Sequence, residues 1–133
     1  MTARAATRRP TRMDPLLLPL LACIAATLLH HAHNAEFLDH YPSMPAWLSP
    51  LGVYAAWLAA TAVGLGGYWL LRRGERLASF VLLLLYGCYG LDGLAHYALA
   101  PMSAHTPMMN TTIWLEAAAG AALLITVFRR RTE

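Results

Sequence analysis

The residues of this chain that could do chemistry sit inside or beside apolar runs. In the 23-residue stretch Leu77–Leu99, LASFVLLLLYGCYGLDGLAHYAL, only Asp92 and His96 ionise near neutral pH. Read as one continuous helix, the stretch places Cys88, Asp92 and His96 at i, i+4 and i+8, on a single stripe. A charge facing lipid costs roughly 2.5–3.5 kcal/mol at the bilayer centre, so such groups turn toward protein or water. His33, Glu36 and His40 follow one another at i, i+3 and i+7, which on a helix puts two imidazoles and a carboxylate on one face. His30 and Glu116 add one more group on each of two other apolar runs.

Mixed imidazole and carboxylate donors suit zinc, iron or copper. The expected ligands are His30, His33, Glu36, Asp92, His96 and Glu116. Met44, Met102, Met108 and Met109 would tilt the choice toward copper, although methionines 102, 108 and 109 serve equally as packing residues. A second reading is haem b, with His30 and His96 as axial ligands from neighbouring helices. A third is structural: the same groups hydrogen-bond between helices, at roughly 0.6 kcal/mol per contact, in a non-catalytic accessory or assembly subunit of a larger membrane complex. Proton-linked transport through Asp92 and Glu116 is a fourth, with little room in four short spans. His31, His40 and His105 read as interfacial or solvated, and Cys23 and Cys88 as small buried residues. Tyr86, Tyr89, Tyr97 and Trp114 read as core and interface. There is no His-Glu-x-x-His, P-loop, dinucleotide fingerprint or Cys-x-x-Cys, so ordinary nucleotide chemistry is disfavoured.

The elements that must position these groups follow from composition. Of 133 residues, 58% are hydrophobic and 13% charged, an apolar excess gathered into long runs. Four spans are expected: from about Leu16 into HHAHN, about Leu51–Leu71, Leu77–Leu99, and Met108–Phe128. Asp14-Pro15, Ser49-Pro50 and Thr106-Pro107 each supply a cap followed by proline at the first helical position. Prolines 42, 45 and 50 force an extended connection between the first two spans, with Trp47 and Trp69 as interfacial anchors around the second. Glycines 64, 66 and 67, and the AAAGAA run after Glu116, allow close helix approach. Leu20-Leu21-Ala22-Cys23 is a loose lipobox, but an uncleaved first span is expected because cleavage would orphan IAATLLHH. The fold class is therefore all-α, an integral membrane four-helix bundle, with residues 14–131 as one domain behind a disordered basic tail at 1–13.

Orientation comes from arginine. The chain has ten arginines and no lysine, and all ten fall in the N-terminal tail, the 72–76 turn or the C-terminal tail. The connections at about 35–49 and 100–107 have none, so both termini are expected in the cytoplasm. The formal charge of +3 is then a topology signal and not a nucleic-acid surface. In a bacterial-type inner membrane, all six histidines with Glu36, Asp39, Asp92 and Glu116 fall on the periplasmic half. Counting rise from the cytoplasmic ends puts His30 at ~21 Å, Asp92 at ~22 Å and Glu116 at ~18 Å, with His33 and His96 a turn further out. His30, Asp92, His96 and Glu116 are expected to line one cluster with His33 at its mouth and the second span behind it. The expected partners are the bilayer and other membrane subunits or further copies of the chain.

Overall fold

The structure, a computed structural model, describes residues 14–131. The tail expected at 1–13 lies outside the described residues. The fold is all-helical, with no strand among the described residues. Its α-helices are α1 (Leu17–Glu36), α2 (Pro50–Arg72), α3 (Arg76–Tyr89), α4 (His96–Leu99) and α5 (Pro107–Arg131), with 3-10 turns at Leu38–His40, Asp92–Ala95 and Met102–Ala104. α3, the 92–95 turn and α4 form one rod, so four rods are long and apolar enough to cross a membrane. At 1.5 Å per residue the shortest, α1, rises about 30 Å, the thickness of a hydrocarbon core.

Two of the three proline caps form as the spacing predicts. Ser49 Oγ accepts the Gly52 N–H at 3.2 Å, and Thr106 Oγ1 accepts the Met109 N–H at 3.3 Å. Asp14 differs. Its carboxylate accepts the Leu16 N–H at 3.0 Å and also pairs with Arg130 at 2.7 Å, so it ties the start of α1 to the end of α5. Each long rod packs against its neighbours in chain order, and α1 meets α5 to close a four-sided bundle. The half nearest the arginines is apolar, built on Leu16, Leu20, Cys23, Leu83, Tyr86, Leu123 and Val127. The opposite half buries His30, His31, Asn34, His96, His105, Thr112 and Glu116.

The third span is not one continuous helix. α3 ends at Tyr89, and a 3-10 turn carries Asp92–Ala95. A 3-10 turn advances about 120° per residue against 100° in an α-helix, so Asp92 to His96 rotates roughly 80° further than a continuous helix would. The stripe Cys88–Asp92–His96 is thereby lost: Cys88 and Asp92 are exposed, while His96 is buried. Cys23 is buried as expected, and Cys88 is not. What faces inward is Tyr86 with glycines 87, 90 and 93.

Those glycines let two backbones meet. A Cβ on Gly90 would lie 2.8 Å from Gly120 Cα, and one on Gly120 would lie 2.7 Å from the Gly90 carbonyl carbon. Gly87 faces Leu124 and Gly93 faces the Glu116 carboxyl group. Glycines three apart on the third span thus match Leu124, Gly120 and Glu116, four apart on α5. On α2, Gly64 and Gly67 make the same room for Tyr86 and Leu83, as the glycine pattern there predicts.

Candidate metal centre

The centre is built outward from adjacent histidines on α1. Residues Leu16, Leu20, Cys23, Thr27, His30, His31 and Asn34 are its buried face, at alternating spacings of three and four. His30 and His31 point about 100° apart, toward different helices.

Each imidazole is held in one tautomer. His31 Nδ1 lies 2.8 Å from the Thr27 carbonyl, which can only accept, so Nδ1 carries the proton. Its Nε2 then presents a lone pair, which accepts from the Tyr89 hydroxyl at 2.6 Å. His30 Nδ1 lies 3.3 Å from Thr112 Oγ1, whose own proton goes to the Met109 carbonyl at 3.0 Å, so His30 Nδ1 is the donor. His30 Nε2 therefore also presents a lone pair. For His30 this is the arrangement of metal-binding histidines, a protonated nitrogen anchored on an acceptor and the other nitrogen free, whereas His31 Nε2 would have to give up the Tyr89 hydrogen bond to become a ligand.

The free nitrogen of His30 faces a carboxylate. Glu116 is 0% exposed, and neither of its oxygens has a hydrogen-bond partner. His30 Nε2 lies 3.6 Å from Glu116 Oε2, and His31 Nδ1 lies 3.6 Å from Oε1. His30 Nε2 and Glu116 Oε2, as two acceptors facing each other at that distance, repel unless a metal ion or the carboxyl group's own proton stands between them. Two donors bound at 2.0–2.2 Å to one tetrahedral ion are ~3.4 Å apart, close to the separation seen. Asp92 joins from the 92–95 turn: one ligand atom each of His31, Asp92 and Glu116 lie within 4.8 Å of one another. Since Asp92 is exposed, this group has one open edge. A Cβ on Gly93 would run into Glu116 Oε2 and lie 3.5 Å from His30 Nε2, so bare backbone leaves the space free.

His96 and His33 belong to a second layer. The rings of His30 and His96 touch edge to face, 5.3 Å between centroids at 74°. Packed ring on ring, they leave no slot for a porphyrin between them, which counts against the haem reading. His96 Nε2 accepts from Asn34 Nδ2 at 3.3 Å. His33 Nδ1 and the Tyr41 hydroxyl share a 2.8 Å hydrogen bond, and the Tyr41 ring roofs His96 at 4.9 Å. Burial pushes the Tyr41 hydroxyl up to about 12, which keeps it neutral.

The spacing of His33, Glu36 and His40 does not become a ligand face. α1 stops at Glu36, and Phe37 leaves helical geometry at φ −119° and ψ 29°, so His40 is carried off. Glu36 is exposed and accepts from Tyr54 of α2 at 3.0 Å. Met102 and Met108 are exposed, and the buried Met109 sulfur accepts the Thr106 N–H at 3.4 Å.

His31 and His105 are buried where solvated side chains were expected. His105 Nδ1 donates to the Pro101 carbonyl at 3.1 Å, outside the cluster. His31 was legible in principle, because continuing the Leu20, Cys23, Thr27 spacing lands on residues 30, 31 and 34. Among known proteins no family model, no curated protein and no solved structure matches this chain.

Proposed function

We propose that this chain is a multi-pass membrane protein that binds a divalent first-row metal ion through His31, Asp92 and Glu116, with His30 on the other side of the Glu116 carboxylate. The observation that carries the reading is Glu116: a fully buried carboxylate whose oxygens are both unpaired, facing an imidazole lone pair. Buried polar groups are otherwise almost always satisfied, and an unpaired carboxylate is the costliest exception. Nitrogen and oxygen donors without thiolate or thioether favour zinc or iron(II). Three protein ligands with an open edge suit an ion that is taken up and passed on, so metal handling is the function supported best. A bound ion would be a Lewis acid there; the chain's own part is to fix both tautomers and keep the carboxylate dry.

The orientation proposed is cytoplasmic termini in an inner membrane, with the centre toward the periplasmic side, supported by the arginines. Ala46→Cys and Ala104→Cys, in a Cys88→Ser background, are expected to react with an impermeant thiol reagent in intact cells, and Glu75→Cys is not. Gly74 is avoided because its φ of +86° strains any side chain. Labelling at residue 75 alone reverses the orientation.

Metal analysis with an absorption spectrum tests the binding itself. Protein purified without chelator is expected to hold about one zinc or iron per chain and no Soret band. A Soret band would select haem. No metal even after micromolar zinc or iron(II) is supplied would overturn the reading in favour of the accessory subunit.

A further inference from the structure

A cavity of about 520 Å3 opens at the arginine end of the bundle, away from the metal centre. Its apolar lining includes Leu71, Phe80 and Val127, and its basic lining includes Arg76 and Arg131. Ser79 also lines it, 1% exposed, with an Oγ that has no hydrogen-bond partner. A buried hydroxyl left without a partner points to a missing ligand group.

Among the described residues the two arginines are available to such a group. Arg76 makes no ion pair among the described residues. Arg131 lies over the Phe80 ring, 4.5 Å from its centroid. Stacking uses the face of the guanidinium and leaves its edge N–H donors for an anion. Arg130, by contrast, is committed to Asp14 at 2.7 Å.

We propose that this cavity seats one anionic phospholipid, its phosphate held by Arg76 and Arg131 and one acyl chain lying against Leu71, Phe80 and Val127. Basic pockets between spans at the cytoplasmic surface are suited to acidic headgroups, and apolar walls suit the chain that follows. A zwitterionic lipid brings a cation beside the arginines and lacks this complementarity. Residues 1–13 carry four arginines and no acid, so the chain's own N-terminal segment has the wrong sign to fill the site. The proposal does not depend on the metal centre.

Native mass spectrometry of the full chain in detergent tests it, with phosphatidylglycerol and phosphatidylcholine of identical acyl chains as probes. One phosphatidylglycerol is expected to stay bound in preference to phosphatidylcholine. The double variant Arg76→Gln/Arg131→Gln is expected to bind it about thirtyfold more weakly, from the worth of two basic residues at a lipid headgroup. Both positions are exposed, and an unchanged helical spectrum confirms that the variant folds. Equal retention of the two lipids, or full retention by the folded double variant, would overturn the proposal. So would displacement of the lipid by millimolar inorganic phosphate, since the acyl chain would then contribute nothing.

Discussion

Glu116→Gln is expected to weaken zinc or iron(II) binding by about 100-fold or more while leaving the metal-free bundle as stable as before, or more so. The magnitude follows from position: removing an outer-shell partner alone costs 10–100-fold in affinity, and Glu116 would be a direct ligand. The sign on stability follows from the absence of partners. Neither Glu116 oxygen makes a hydrogen bond in the fold, so replacing a buried carboxylate by an amide of the same shape removes a desolvation cost and breaks nothing. His31→Ala should lose metal equally but also lower the melting temperature, because it strips the Tyr89 hydroxyl of its partner. Asp92→Asn, at the open edge, should lose metal and keep the fold. Chelator competition and thermal melts on the same samples read all three. If Glu116→Gln lowered the melting temperature and kept the metal, the residue would be interhelical glue.

Substitution at Gly120 should have the largest effect on the fold. A Cβ there meets the Gly90 backbone at 2.7 Å, and backbone cannot rotate aside as a side chain can. Gly120→Ala is expected to cost about 1–3 kcal/mol, the usual range for overpacking, and Gly120→Val to prevent accumulation of folded protein. Gly66→Ala is the control. Its nearest neighbour is Leu82 Cδ1 at 3.9 Å, so it should be neutral or gain up to about 1 kcal/mol from helix propensity. Gly93→Ala falls between these cases. Its Cβ meets a carboxylate that can move, so metal affinity should drop more than stability. Denaturant melts that rank Gly66→Ala as harmful as Gly120→Ala would show that backbone contact does not hold α3 to α5.

The span count and the proline caps were legible because hydrophobic run length, Ser-Pro and Thr-Pro are local signals. The meeting of His30 with Glu116 was legible too, because depth along a span is simple counting; Asp92, which the cost of lipid exposure was expected to turn inward, is exposed. What failed was rotation about the helix axis. Cys88, Asp92 and His96 read as a stripe only while the rod is α-helical, and the Gly90–Gly120 contact is what coincides with its tightening into a 3-10 turn. That contact is between two chain segments, so no window of either one reveals it. His40 was misplaced for a related reason: α1 ends at Glu36, before the i+7 position that a shared face with His33 needs. His31 was overlooked because one residue's shift around a helix separates a surface histidine from a core one, and the buried Thr27 and Asn34 that fix its side are themselves polar.

X-ray absorption at the metal edge of zinc-loaded protein tests the central claim most directly. The account predicts a first shell of nitrogen and oxygen at about 2.0–2.2 Å, with imidazole scattering beyond it, no sulfur, and loss of the signal in Glu116→Gln. A sulfur shell near 2.3 Å, or a spectrum unchanged by Glu116→Gln, would contradict it.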